Sequence, residues 1–309
     1  AARMWQQLCW QVGPLPRLRL AAVVNSDEVI RGGEAMVAVR KRHAAETTGE
    51  AAAFLDVSQS ARGYVWRERL PRDAQNLALA ISQQHGLPEL LGRVLAARGV
   101  ALSDVPVFLD PSVKALMPDP ASLAGMDRVA ERIADAIVRR EPVAIFGDYD
   151  VDGACSSALM ARFLMAHDTT PRIYIPDRIF EGYGPNIAAL ETLVKEGAKL
   201  IVTVDCGTTS FETMAAAKRF GTDILVIDHH QADETLPEVA GLVNPNRQDD
   251  VSGQGHLCAA GVVFLVLVAV MRVLRQRGYY VSGVTPPDLL ADLDLVALAT
   301  VADVVPLTG

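Results

Sequence analysis

Hydrophobic positions along the chain fall into two textures that change near residue 141. Upstream, from about Ala74, they recur at helical spacing: Leu77, Leu79 and Ile81, then Leu87, Leu90 and Leu91, then Val94 and Leu95. Gly99 marks a helix C-terminus before Val100, and Ser103-Asp104 opens a short helix containing Val107, Phe108 and Leu109. Pro111, Pro118 and Pro120 punctuate a loop. Val129, Ile133 and Ile137 then line one face of an amphipathic helix over 127–139. Residues 60–140 read as a helical lead-in.

From Glu141 short apolar runs alternate with helical ones. Strands are expected at 143–146, 172–175, 200–204, 224–227 and 241–243. Helices are expected at 154–166, 187–196 and 211–220, and two long helices fill most of 257–304. This alternation predicts an α/β fold in which a parallel sheet is flanked by helices, preceded by a small helical region. Leu257–Met271 is apolar throughout but falls short of the ~20 residues of a bilayer crossing, so it reads as a core helix. Residues 1–50 show no steady period. They are expected to be disordered or to precede the true start, for which Met4 and Met36 are candidates.

Composition narrows the class without choosing the function. Half of the 309 residues are hydrophobic and 21% are charged, the mixture of a globular protein. The net charge of −8 argues against adhesion of the whole surface to nucleic acid or anionic lipid. It leaves room for an anionic substrate, because a bound cation can dominate the local field. The charge is uneven: residues 1–72 hold 11 Lys+Arg against 7 Asp+Glu, a surplus of four, so the remainder carries −12. Cys9, Cys155, Cys206 and Cys258 lack zinc-ligand spacing and read as free thiols in a reducing, cytoplasmic compartment.

The chemistry concentrates in polar clusters that each follow a strand. Asp148, Asp150 and Asp152 alternate after the run Val143–Phe146, with Gly147 and Gly153 expected to let the chain turn sharply on either side. Three acids this close repel unless a cation such as Mg²⁺ or Mn²⁺ offsets them. A calcium-binding EF-hand loop also begins Asp-x-Asp-x-Asp-Gly, but its twelfth position must be Glu. Here that position is Leu159, and a strand precedes the loop. Asp205 follows the third strand, and Asp228, His229 and His230 follow the fourth. Ligands bind outside the carboxyl ends of parallel strands, so these clusters should converge on one edge. Any single Asp could instead cap a helix. Asp303 lies in the apolar stretch Leu298–Val305 and must be ligated, paired or protonated. Asp292 and Asp294 fit exposed helix positions.

Taken in order, Ile145–Gly153, Pro176-Asp177-Arg178 with Glu181–Gly184, Thr203–Gly207, Asp228-His229-His230, Asn244–Arg247 and Ala299–Leu307 resemble the DHH phosphoesterase superfamily. Within it they resemble the bacterial exonucleases specific for single-stranded DNA. The likeness runs from about residue 60 to the end. It implies one or two Mn²⁺ or Mg²⁺ ions held by Asp150, Asp152, Asp205, His229 and Asp303, with Asp205 as the bridge and Asp148 as a further ligand or a supporting acid. It implies that His230 hydrogen-bonds the phosphate, that Asp228 orients a histidine, and that Arg178, Tyr183 and Arg247 are candidates for phosphate or base contact. On local grounds each of those three could equally be a loop residue packing nearby.

The implied reaction is stepwise 5′-to-3′ removal of nucleotides from single-stranded DNA in repair and recombination. Single-strand-binding protein or a helicase would be partners, and no membrane is involved. The resemblance also implies that the domain from residue 141 to the end would be followed by a second, DHHA1-type domain and an oligonucleotide-binding fold. Alternatives in the superfamily are hydrolysis of a short oligonucleotide, cyclic dinucleotide or pyrophosphate, or a non-catalytic replication scaffold.

Overall fold

The computed structural model describes residues 53–307. The expectations for residues 1–50, and for Cys9, lie outside the described residues. The chain divides into two compact units with the boundary between Leu109 and Asp110.

In the first unit, α1 (Arg72–His85) and α2 (Glu89–Ala97) are followed by the short α3 (Val105–Leu109). A small core of Ala78, Ile81, Leu95, Ala96, Val100 and Val105 holds them together. Gly99 sits at φ +74°, a left-handed conformation that costs glycine little, and ends α2 with its N–H on the Ala96 carbonyl.

The second unit holds α4 (Val113–Leu116), α5 (Met126–Arg139) and five parallel strands. These are β1 (Val143–Gly147), β2 (Arg172–Tyr174), β3 (Leu200–Val204), β4 (Asp223–Ile227) and β5 (Gly241–Val243), in the spatial order β2-β1-β3-β4-β5. Four helices complete it: α6 (Val151–Ala166) between β1 and β2, α7 (Ile187–Lys195) between β2 and β3, α8 (Phe211–Ala217) between β3 and β4, and α9 (Ala259–Gln276) after β5. After α9 comes one more helix, α10 (Leu293–Ala302).

Both sheet faces are covered, which is why the strands read as continuous apolar runs rather than as alternating ones. Val143, Ile145, Val202, Val204, Leu225 and Ile227 pack under α5, α6 and α9. Ala144, Phe146, Ile201, Ile224 and Val226 face α7 and α8 on the other side. Two sequence expectations need correction here. The helix over 127–139 belongs with the sheet rather than with the lead-in, because Val129, Ile133 and Ile137 are fully buried in the larger core. Only the first of the two late helices is long. Gly278 and Gly283 adopt positive φ, and Pro286-Pro287 supplies no N–H donors, so the chain between α9 and α10 breaks into short turns. The core-helix reading of 257–271 holds. Ala259–Gln276 is long and apolar enough to cross a bilayer, yet it is largely buried against α5 and α6.

Gly147 and Gly153 also work differently from the expectation. Neither has positive φ: Gly147 ends β1 and Gly153 lies in the first turn of α6. What matters is the missing side chain. A Cβ on Gly147 would collide with the Ser157 hydroxyl, and one on Gly153 would lie 2.5 Å from the Asp148 carbonyl oxygen and 2.7 Å from its Cβ. Glycine thus lets α6 start directly against the end of β1. Gly153→Ala is expected to cost about 1–3 kcal/mol by overpacking, read as a lower urea midpoint at unchanged slope.

At the far end of α6, His167 is buried between Phe163, Tyr279 and Tyr280. Its Nδ1 donates to the Phe163 carbonyl (2.7 Å), so Nε2 accepts from the Tyr280 hydroxyl (2.7 Å), an arrangement that only neutral imidazole can make. Burial lowers the His167 pKa against the opposing pull of the Phe163 carbonyl and Asp168. The unfolded chain therefore binds a proton near pH 6.5 that the folded chain refuses. Stability is expected to fall as pH drops below that value. His167→Gln should flatten this acid limb in urea titrations run between pH 7.5 and 5.5.

Candidate metal centre

The strand order β2-β1-β3-β4-β5 reverses direction between β1 and β3, where helices leave to opposite faces, the place where open parallel sheets bind their ligands. The three polar clusters sit there on neighbouring strands, because β2 crosses out to the edge and leaves β1, β3 and β4 side by side. The expected convergence is what the structure shows.

The acids differ in what they are given to bind. Asp150 caps α6, its Oδ1 accepting from the Gly153 N–H at 2.9 Å. Asp152 is buried in the first turn of α6 and accepts from two backbone N–H groups of α9, Ala259 (2.6 Å) and Ala260 (2.8 Å). α9 has no side-chain cap of its own, so Asp152 serves as one from another helix. Asp148 and Asp205 are buried too, but Oδ1 of each has no hydrogen-bond partner. Asp205 stands at φ +62°, the left-handed turn that Asp tolerates better than most residues. That conformation is paired with its own N–H bonding the Ile227 carbonyl at 2.9 Å.

The two histidines are fixed by different groups. His229 Nδ1 donates to the Leu257 carbonyl (3.1 Å), which leaves Nε2 facing Asp205 (3.4 Å), Asp303 (3.6 Å) and Asp152 (3.7 Å). His230 Nδ1 donates to Asp228 Oδ1 at 2.7 Å. Asp228 is a hub: Oδ1 also accepts from the N–H groups of His229 (2.8 Å) and His230 (3.2 Å), and Oδ2 from that of Thr208 (3.0 Å). Asp303, at the C-terminal end of α10, reaches the cluster from the far end of the unit's sequence.

Ligand-type atoms gather in three overlapping groups, each within 4.8 Å: Asp148, Asp150 and Asp205; Asp205, His229 and His230; Asp152, His229 and Asp303. Asp205 and His229 each belong to two of them.

The electrostatics follow from this geometry. Burial raises the carboxyl pKa of Asp148, of Asp152 and of Asp205, and neighbouring acids add to the shift in each case. Asp228 behaves oppositely. Burial pushes its pKa up, but the hydrogen bond and charge of His230, together with Thr208, outweigh it and hold the carboxyl at about 2. The bond to Asp228 in turn raises His230 to about 9. Five acids share the pocket with two imidazoles, and two buried carboxylate oxygens have no donor. This donor set fits a divalent cation with hard oxygen and imidazole ligands.

Of the expected contact residues, Tyr183 is at the site. Its hydroxyl donates to the Asp205 carbonyl (3.3 Å) and lies 3.3 Å from His230 Nε2; burial pushes its pKa well above the usual value. Arg178 stacks over the Tyr149 ring at 5.0 Å, and that ring meets Tyr183 edge-on at 6.5 Å. Arg247 is a correction. Its guanidinium is committed to both Asp249 oxygens (2.5 and 2.7 Å) and to the Leu242 carbonyl (3.0 Å), so it clamps the end of β5 instead of facing ligand. Asp292 is only partly exposed and pairs with Arg162 (2.8 Å).

Tyr149, Thr208, Asn244 and Asn246 were not singled out by residue type. Asn244 is fully buried and donates to Thr208 Oγ1 (2.9 Å) and to the His230 carbonyl (2.8 Å), while Asn246 donates to the His229 carbonyl. Their only signal was the motif Asn244-Pro-Asn246, whose Asn side chains tie the loop after β5 to the histidine loop.

Residues 142–300 match the profile of the DHH family, N-terminal domain, 159 of the 309 residues. The single-stranded-DNA-specific exonuclease RecJ of Salmonella typhimurium is 38% identical over 223 residues, covering 72% of this chain and 38% of that protein. RecJ of Bacillus subtilis is 32% identical over 241 residues, covering 78% and 29%. The chain thus spans well under half the length of these curated relatives. Among solved structures, RecJ of Thermus thermophilus in complex with Mn²⁺ is 28% identical with a TM-score of 0.59, covering 78% of this chain and 32% of that one. A manganese-bound exonuclease RecJ is 33% identical with a TM-score of 0.52, covering 60% and 45%. With its Asp-His-His triplet and more than half of its length accounted for by one profile, this chain belongs to the DHH family.

Proposed function

We propose that the chain is the metal-holding part of an exonuclease that removes nucleotides stepwise from the 5′ end of single-stranded DNA in repair and recombination. The observation that carries this reading is the pair of buried, donorless oxygens on Asp148 and Asp205 beside His229 Nε2, in a family whose solved relatives hold manganese. In this reading Asp150, Asp152, Asp205, His229 and Asp303 hold one or two Mn²⁺ or Mg²⁺ ions, with Asp205 shared and Asp148 beside it. Such ions supply Lewis acidity at the phosphoryl oxygens and an activated water for attack on phosphorus.

The remaining work belongs to the chain. The Leu257 carbonyl keeps the proton of His229 on Nδ1, so Nε2 stays free as a ligand. Asp228 holds the His230 ring in place and keeps it cationic, ready to donate to a phosphate oxygen. The Tyr183 hydroxyl stays protonated and can donate at the same edge, and Arg178 on Tyr149 offers a cation above an aromatic face where an unpaired base can stack. A cytoplasmic location fits the free, buried thiols of Cys155, Cys206 and Cys258. Single-strand-binding protein or a helicase would be its partners.

Asp205→Asn is expected to abolish Mn²⁺ binding in calorimetry and Mn²⁺-dependent hydrolysis together, with the thermal unfolding of the metal-free protein little changed. Retention of both would remove Asp205 from the centre. Turnover of pyrophosphate or a cyclic dinucleotide without turnover of single-stranded DNA would overturn the substrate assignment. Asn244→Ala should weaken Mn²⁺ affinity or turnover by about 10–100-fold without removing any ligand, because it loosens the loop that orients both histidines. Titration of the variant with Mn²⁺ against the parent reads this directly.

A further inference from the structure

Far from the metal centre in sequence, the segment Arg62–Arg72 (Arg-Gly-Tyr-Val-Trp-Arg-Glu-Arg-Leu-Pro-Arg) is ordered without being packed. Its backbone is pinned: Phe54 N–H donates to the Trp66 carbonyl (2.9 Å), Trp66 N–H to the Val57 carbonyl (3.0 Å), and Ser60 N–H to the Tyr64 carbonyl (2.9 Å). Its side chains are not. Tyr64 is 69% exposed and Trp66 49%, while Leu70 is the only buried residue of the stretch. Arg62, Arg67, Arg69 and Arg72 are exposed and have no carboxylate partner among the described residues. The one acid within the segment, Glu68, is already neutralised by Arg93. Four unpaired guanidinium groups and two open aromatic rings within eleven residues are unusual in a chain of net charge −8.

From this we infer a second nucleic-acid contact, distant in sequence from the chemistry: the Arg62–Arg72 segment is a binding strip for single-stranded DNA. The arginines take the phosphates and Tyr64 and Trp66 stack on unpaired bases. The chemistry selects this ligand over others. A duplex would satisfy the arginines but keeps its bases stacked away from the rings, and a small phosphate ester would engage one arginine at most. Glu68 is the one acid of the segment and is paired with Arg93, so the segment itself is net positive, with Asp56 and Asp73 as the exposed acids flanking it. The strip deepens the nuclease reading but does not depend on it, since it holds the strand and cleaves nothing.

Trp66 is one of three tryptophans in the chain, with Trp5 and Trp10, so the fluorescence difference between the parent and Trp66→Phe reports the strip. The test adds an oligodeoxythymidylate to the full chain at several salt concentrations, and follows Mn²⁺-dependent hydrolysis in parallel. Quenching that disappears in Trp66→Phe is expected, together with a loss of affinity of about tenfold in Tyr64→Ala/Trp66→Ala. Replacing all four arginines by Ala should make the plot of log affinity against log salt shallower, by about 0.7 for each phosphate that is no longer neutralised. Binding with an unchanged salt slope, or without a Trp66 signal, overturns the strip and leaves the nuclease reading standing. So does equal quenching by duplex DNA of the same sequence. No binding at low salt overturns the strip as well. Tight binding with quenching but no hydrolysis supports the strip and sinks the nuclease reading instead.

Discussion

Repulsion among acids crowded at one sheet edge is the constraint around which the larger unit is built. Two unit charges 4 Å apart cost about 4 kcal/mol at an effective dielectric of 20, and this pocket gathers five carboxylates with Asp228 as a sixth beside them. The fold relieves part of that cost with backbone donors. Asp152 receives the N-terminus of α9, Asp150 that of α6, and Asp228 three N–H groups and an imidazole. Asp148 and Asp205 keep an oxygen that receives none. The acids thus differ in how far the fold satisfies them: Asp150, Asp152 and Asp228 also serve as scaffold, while Asp148 and Asp205 each keep one oxygen without a donor.

Scaffold and site are therefore not separable. Asp152 is at once a member of the ligand group with His229 and Asp303 and the cap that fastens α9 to α6. α9 can be apolar on nearly all sides because it is packed on nearly all sides, and the buried N–H groups of Ala259 and Ala260 at its N-terminus are satisfied by that same carboxylate. Removing Asp152 would disturb that ligand-type group and helix packing together. Asp205, whose Oδ1 accepts no donor, isolates the first effect from the second.

Much of this was legible from residues alone, for reasons that can be stated. Five strands buried on both faces leave unbroken apolar runs, so the α/β alternation and most strand limits could be read directly. Three acid-rich turns after such runs must share an edge once the sheet is parallel. The strand order could not be read, and only that order makes β1, β3 and β4 neighbours. Glycine was legible as a requirement but not as a reason: Gly147 and Gly153 look like turn formers, and only the approach of α6 to β1 shows that the missing Cβ is what counts. Arg247 shows the opposite failure. An arginine after a strand suggests an anion site, but a loop residue packing nearby was an equally good local reading, and in the structure Arg247 packs on Asp249 two residues on. Asn244 carries no chemical signal as a type. Its role exists only because Thr208 and the His230 carbonyl are brought to it from other loops.

A pocket of this kind has one further consequence for its substrate. Before cations bind, it repels a polyanion, and the net charge of the whole chain does the same. Cations at the centre can reverse the sign locally, but within about 10 Å of themselves at ordinary ionic strength. Attraction of a long strand must therefore come from cationic groups that are neither paired nor screened by the fold's own acids. Arg132, Arg247, Arg272 and Arg277 are all spent on carboxylates. Arg178, over Tyr149, is available at the rim of the centre. Arg62, Arg67, Arg69 and Arg72 are available together, beside two open rings. In the reading proposed above, cleavage and capture place opposite demands on charge, and different residues would meet them: acids for the cations, unpaired arginines for the strand.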